Sequence, residues 1–287
     1  MPIGPAKAAA TSSLRTACAN IQHTLRAMPA TVPPPLRLLL QSMDFNGWML
    51  DVVPSTPSTN ALAARLPAWH AVRADTQTAG RGRTGRHWVS DRGGLWISAV
   101  LPCPGPRETW ELLPLAAGWA LIAALAELGV TDLRLRWPND ILRGPRKLAG
   151  LLVERHTADT AVVGIGLNVF NHPEAAASEL TGHTTRLADL APVGNRSLDD
   201  LAGFVLRALA IAHGALAIGD FTRIADELNL SWQEPRRVAL TLADLPQPVC
   251  GTFLGINAHG HLRLRHTDGT LHTYDAYRVA LLRELET

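Results

Sequence analysis

Arginines and glycines alternate through Gly80-Arg81-Gly82-Arg83-Thr84-Gly85-Arg86. Glycine lets such a loop bend closely round a ligand, and guanidinium groups pair with phosphate or carboxylate oxygens through parallel N–H donors. The chemistry on offer is an anion clamp. The same glycines match the dinucleotide spacing G-x-G-x-x-G, but that motif has to open a helix whose N-terminus faces the pyrophosphate. Residues 87–101 read instead as turns followed by a strand, so the dinucleotide reading fails. By composition alone, a solvated basic loop or an RNA-contacting segment competes with the clamp on even terms.

A second set, Arg136-Trp137-Pro138-Asn139-Asp140, ends a strand with an amide and a carboxylate, where a metal or nucleotide could be held. Pro-Asn-Asp is also an ordinary turn. Lys147 tips the balance toward a site. Among 27 basic residues only Lys7 and Lys147 are lysines, so the start of the next strand carries a compact point charge where this chain otherwise uses the planar arginine fork. Third, Val163-Gly164-Ile165-Gly166-Leu167-Asn168-Val169 alternates glycine within a strand, which costs stability and marks the close approach of a ligand or another backbone. Asn168 at its end can both donate and accept. Tight packing of a helix over the sheet explains the glycines equally well.

Strands must position most of these residues. Residues 44–53 read as a strand that 54–57 should break, and 60–66 form a short helix with Ser58 and Thr59 as cap candidates. Strands are expected at 68–76 and 95–101, on either side of the arginine loop at 78–94, then a helix at 108–128 stopped by Gly129. Further strands fall at 133–137, 147–154 and 161–169. Helices follow at 197–217, where Ser197 and Asp200 fit a capping box, and at 221–228. Beyond Trp232, short alternating strands at 237–242, 249–256, 261–266 and 271–274, with hairpin turns at 257–260 and 268–269, describe a small β-barrel. The fold class is α+β, with a mixed-sheet domain at 44–230 and an all-β domain at 231–287.

The 287-residue chain has room for one large core and a small second domain. A formal charge of +2, with the positive residues scattered, gives no electrostatic reason to expect a nucleic-acid partner. No apolar run approaches the ~20 residues of a membrane span and no signal segment is legible, so a soluble protein without a membrane partner is expected. Cys18, Cys103 and Cys250 form no Cys-x-x-Cys pair and leave an odd thiol, which points away from disulfides or zinc and toward a reducing cytoplasm. Residues 1–43 lack Asp and Glu and contain Pro33-Pro34-Pro35. They read as a disordered extension rather than a transit peptide, with Met43 an alternative start.

The order of the motifs says more than any one of them. Ser58-Thr59-Asn60, then Gln77 with the arginine loop and Trp88, then Trp137-Pro138-Asn139-Asp140, then Lys147-Leu148-Ala149-Gly150 with Glu154, then Gly164-x-Gly166-x-Asn168 resembles the biotin protein ligase family across residues 44–283. The resemblance implies a mixed-sheet catalytic domain of the class II synthetase and biotin–lipoate ligase type with a C-terminal SH3-like β-barrel. It implies that ATP with Mg2+ activates biotin to biotinoyl-5'-AMP, and that biotin then passes to one lysine of a biotin carboxyl carrier domain of acetyl-CoA carboxylase or a related carboxylase.

By that resemblance Ser58, Thr59, Asn60, Gln77, Arg81, Gly82, Arg83 and Lys147 hold biotin, with Arg83 and Lys147 catalytic. Trp88, Asn139, Asp140 and Asn168 line the nucleotide site, with Asp140 as a magnesium ligand. The arginine loop orders over biotin and shields the acyl-adenylate from water. Arg136 stands where the family usually has lysine, and Ala276-Tyr277-Arg278-Val279 replaces its usual Gly-Glu-Val run, so no functional residue is assigned to the barrel. Lipoate or octanoate transfer is the enzymatic rival within the superfamily, and the complete arginine loop favours biotin. A repressor module is not expected, because residues 1–43 are too few for three helices and a wing. A homodimer through a sheet edge is compatible with the sequence.

Overall fold

The computed structural model describes residues 41–285 except 46, 195 and 233, so nearly all of the extension expected at 1–43 lies outside the described residues. The first two strands, β1 (Gln41–Phe45) and β2 (Trp48–Thr56), form an antiparallel hairpin in which Phe45 faces Trp48. The run at 44–53 is therefore not one strand. Asn46-Gly47 inside it is a hairpin signal, Gly47 takes φ +91°, and its N–H donates to Asp44 at 3.1 Å. Pro54 does not stop β2. It lies past Val52, the last residue paired with β1, where a proline interrupts no pairing on that side.

The chain continues through α1 (Thr59–Ala63), β3 (His70–Gln77), β4 (Leu95–Pro102), α2 (Arg107–Glu111) and α3 (Leu113–Glu127). Next come β5 (Leu133–Arg136), β6 (Asp140–Arg143), β7 (Arg146–Arg155), β8 (Thr160–Leu167), α4 (Pro173–Ala176), α5 (Leu198–Ala217) and α6 (Phe221–Ser231). The helix expected at 108–128 is two helices, because Pro114 starts a new one in its first turn. Gly129 ends the second at φ +86°, and Ser197 with Asp200 forms the expected capping box on α5. Eight strands make one mixed sheet in the order β1-β2-β3-β4-β8-β7-β6-β5, with β2 and β3 its parallel pair. Strand β6 was not anticipated. It turns 133–143 into a hairpin and puts Asp140 at its first residue.

The α3 helix is buried nearly all round, as a helix between two layers must be, and packs on α5. Among the described residues, α5 is long and apolar enough to cross a membrane, a run that the sequence reading passed over; half of it is buried inside this protein, as a core helix requires. The barrel follows with β9 (Arg236–Leu242), β10 (Val249–Ile256), β11 (Leu262–His266), β12 (Leu271–Tyr274) and β13 (Val279–Glu284), in the order β12-β11-β10-β9-β13. Its last strand, β13, pairs with β9 and was not anticipated from the sequence.

The barrel is fastened to β5 and the turn after it. Arg134 donates two bonds of 2.5 Å to Glu284, Trp232 Nε1 donates to Leu135 O at 2.6 Å, and Trp137 Nε1 donates to Gly260 O at 3.0 Å. His213 of α5 stacks on Trp110 at 4.8 Å and its Nε2 lies 2.8 Å from Pro102 O. Burial pushes its pKa below the usual histidine value, against the smaller opposing effect of that hydrogen bond. Unfolding then takes up a proton between the depressed folded value and the unfolded value of about 6.5, so stability falls as pH drops through that window. Denaturant midpoints at pH 7.5 and 5.5 should separate more in the wild type than in His213→Gln, which keeps an N–H donor and cannot titrate.

Candidate active site

A cleft of about 310 Å3 opens over β3, β7 and β8, and every residue expected from the sequence to hold a ligand lines it. One wall begins at α1. Ser58 has the extended backbone of an N-cap residue, but neither it nor Thr59 caps the helix through its side chain. Thr59 N and Oγ1 instead lie 2.8 and 3.0 Å from Gln77 Oε1, at the end of β3. Gln77 Nε2 donates to Ser90 Oγ at 2.9 Å, and Ser90 Oγ donates to Trp88 O at 3.0 Å. Behind Thr59, the fully buried Ser98 lies 2.7 Å from Thr59 Oγ1 and 2.6 Å from Asn60 Oδ1. Asn60 Nδ2 donates to Glu154 Oε2 at 2.7 Å.

The opposite wall is an ion chain. The two oxygens of Asp140 take Lys147 Nζ and Arg136 at 2.6 Å each. Burial alone would raise the Asp140 pKa, but the two cations and their hydrogen bonds outweigh it and hold the carboxyl below its usual range. Lys147 Nζ also stands 4.6 Å over the Trp88 ring, a cation–π contact. Asp140 does not fit the magnesium ligand expected of it, since each of its oxygens already binds a cation. No cluster of three or more His, Cys, Asp or Glu suited to a metal exists among the described residues.

The arginine loop is a narrow hairpin, with Arg81 bridged to His87 and Gly82 N donating to Arg86 O at 2.7 Å. At its tip Thr84 and Gly85 take φ +55° and +74°. The loop does not hang free. Arg83 donates to Asn139 Oδ1 at 3.4 Å, to Val279 O at 3.0 Å and to Ala276 O, so it reaches both the β5–β6 turn and the barrel. Asn139 in turn donates to Leu151 O at 2.7 Å.

The glycines of β8 and β7 make room for side chains of this protein. A Cβ on Gly164 would meet Asn60 Oδ1 at 2.1 Å, one on Gly166 would meet the Trp88 indole at 2.5 Å, and one on Gly150 would meet it at 2.9 Å. The Trp88 ring thus lies flat on a glycine strip, with its Nε1 buried and without a hydrogen-bond partner. Asn168 lines the cleft, yet its amide is engaged: Nδ2 donates to Lys147 O at 3.4 Å and Oδ1 accepts from Asn171 at 3.0 Å.

Residues 51–169, the stretch that carries most of this geometry, match the biotin/lipoate A/B protein ligase family. The bifunctional ligase/repressor BirA of Bacillus subtilis is 31% identical over 237 residues, spanning 79% of this chain and 71% of that protein. The chain belongs to the biotin protein ligase family. A biotin (acetyl-CoA-carboxylase) ligase of Mycobacterium tuberculosis is 40% identical over 166 residues, 53% of this chain and 60% of that one. A solved biotin protein ligase, from Aquifex aeolicus in complex with biotin and ATP, superposes with TM-score 0.70 at 25% identity over 82% of this chain and 99% of that chain. A biotin protein ligase is an enzyme, and so is this chain a ligase.

Sequence reasoning missed several residues of this biotin protein ligase cleft. Arg136 beside Asp140 and Glu154 in the lysine motif were quoted without a role, and Ser90 and Ser98, which brace the Gln77 and Thr59 side chains from behind, carried no signal of their own. The segment containing Pro173, Glu179 and Thr184, and residues 280–282 of β13, also line the cleft. That barrel strand answers the absence of any site residue assigned there.

Because Arg83 fastens the loop tip to the barrel, Arg83→Ala should free it. Trypsin should then cut after Arg81 or Arg86 several-fold faster than in the wild type, while cleavage elsewhere keeps its rate. An unchanged cutting rate at both sites would mean that the loop is held by its own hairpin bonds.

Proposed function

We propose that this ligase activates biotin with ATP as biotinoyl-5'-AMP and transfers the biotinoyl group to one lysine of a biotin carboxyl carrier domain. The observation that carries the reading is the placing of Lys147 in one cleft with the Thr59–Gln77 wall on one side and the Asp140–Asn139 turn on the other. A carboxylate attacking the α-phosphorus of ATP meets a polyanion, so the approach needs positive charge that is fixed in advance. Lys147 supplies it. Its ammonium is aimed by Asp140 and by the Trp88 face, both of which restrict its rotation before any substrate enters.

The carboxylate oxygen forms the new bond to phosphorus and pyrophosphate leaves with the electron pair of the broken P–O bond. The carrier amine then attacks the acyl carbon, and AMP departs. Asp140 is no base in the first step, since a carboxylic acid substrate is already ionised at neutral pH. Arg81 and Arg83 bring guanidinium groups to the edge of the same space and would cover the mixed anhydride against water. ATP as co-substrate and the free thiols Cys103 and Cys250 support a cytoplasmic location.

Incubation with biotin, ATP, magnesium and a carrier domain should add one biotinoyl mass to the carrier, dependent on its lysine, and lipoate in place of biotin should add none. Lys147→Ala should lower biotin-dependent pyrophosphate exchange about a hundredfold or more while the fold stays intact. Lys147→Arg should restore little, because a planar fork cannot replace a point charge seated between Asp140 and an indole. Near wild-type exchange in the alanine variant would remove Lys147 from the chemistry.

A further inference from the structure

Glu179 stands at the mouth of the cleft, in one turn of 3-10 helix (Ser178–Leu180), where it lines the space and stays exposed to solvent. Among the described residues its carboxylate takes part in no hydrogen bond or ion pair. We propose that Glu179 receives the amine in the second half-reaction: it draws the carrier's lysine to the cleft as an ammonium and accepts the proton that the nitrogen sheds on bonding to the acyl carbon. The inference rests on the reading of the cleft as a ligase site and names a proton acceptor for its transfer step.

The charge of the lining calls for such a residue. Five cationic side chains line the cleft, Arg81, Arg83, Arg86, Arg136 and Lys147, against two carboxylates, Asp140 and Glu179. Asp140 has given both of its oxygens to Lys147 and Arg136. The cations suit a polyanionic nucleotide, but the second nucleophile is a lysine, which at neutral pH arrives as a cation. Its approach is opposed until a negative charge meets it, and of the two cleft carboxylates only Glu179 has no counter-ion among the described residues.

The main chain ties Glu179 to the reacting end of the cleft. Thr181 N donates to Ser178 O at 3.1 Å and His183 N donates to Leu180 O at 2.9 Å, so the turn that carries Glu179 runs directly into a second turn. Lys147 N then donates to His183 O at 2.8 Å, Thr185 N donates to Lys147 O at 3.0 Å, and Thr184 pairs with Lys147 as a parallel bridge. Glu179 thus lies within two short turns of a segment fixed to the main chain of Lys147. On the ligase reading the acyl–phosphate bond forms beside Lys147, so the carbon under attack belongs to the same part of the cleft.

An ammonium has no lone pair to attack with. The carboxylate at the mouth favours the charged form of the incoming lysine, and the cations further in favour the neutral one. The amine gives its first proton to water as it passes from the one to the other. Its lone pair then forms the bond to the acyl carbon, which makes the nitrogen strongly acidic. With no partner to hold it, the Glu179 side chain can follow the nitrogen inward and take this second proton. The bond between the acyl carbon and the phosphate oxygen breaks with its electron pair on AMP, and Glu179 returns its proton to water.

The test starts from the full-length protein mixed with synthetic biotinoyl-AMP, so that ATP and the first half-reaction play no part. Single-turnover transfer to a biotin carboxyl carrier domain is compared with transfer to hydroxylamine, an amine already neutral at pH 7.5. In Glu179→Gln the rate to the carrier should fall about tenfold or more relative to the rate to hydroxylamine. That deficit should shrink as the pH rises toward about 10, where lysine loses its proton unaided. Glu179→Lys should deepen it, because one more cation then meets the ammonium. Both substitutions fall on an exposed side chain without a partner among the described residues, so the fold has nothing to lose by them. A carboxylate that only shaped the cleft would lower both acceptors together and leave their ratio flat with pH. If the variants keep the wild-type ratio, or lose both acceptors equally at every pH, Glu179 does not receive the amine, although the ligase reading stands. If the wild-type protein shows neither biotin-dependent pyrophosphate exchange nor transfer to the carrier, the ligase reading fails and takes this proposal with it.

Discussion

The carboxylate of Asp140, gripped by Lys147 on one oxygen and Arg136 on the other, is the contact on which the cleft depends. Neither cation is optional to the other. An ammonium held alone in a partly buried space would be costly, and so would a carboxylate with one oxygen unmatched. Together they keep Asp140 ionised and leave the group with a net positive charge facing the cleft. The topology exists to make that meeting possible: the β5–β6 hairpin brings Asp140 opposite Arg136, and the β6–β7 pairing brings Lys147 alongside.

The cleft's chemistry was written in clustered, local words, and those were readable. Gly-Arg loops, Pro-Asn-Asp and alternate glycines each announce a backbone that does something unusual within a few residues. Lys147 was legible for a different reason, as the rare choice in a chain that favours arginine. What could not be read were groups made meaningful by distant partners. Ser98 is an ordinary strand serine until α1 lays Thr59 and Asn60 against it, and Glu154, though quoted within a motif, has no partner to be read until Asn60 reaches it across the sheet. The glycines show the same limit from the other side. Their spacing signalled a close approach, but only the fold reveals that the approaching groups are Trp88 and Asn60.

Element boundaries failed where a short signal was overruled by a longer one. Gly47 lies in a turn that the strand-like residues around it disguised, and Pro54 lies where it meets no β1 partner. Asn168 and Asp140 show that a residue can be placed correctly and still be occupied differently from expectation. The amide of the first binds Asn171 and the chain at Lys147, and the carboxylate of the second pairs with Lys147 and Arg136.

The barrel enters the site through its main chain. Arg83 grips the carbonyls of Ala276 and Val279, groups that every amino acid supplies. The side chains of that turn are thereby released from the duty of holding the loop, and its lettering can drift as long as its path does not. A departure from the family's usual wording at 276–279 is then no sign of lost function. Divergence is cheap where recognition is addressed to the backbone, and the length of the turn, more than its composition, is what such a contact preserves.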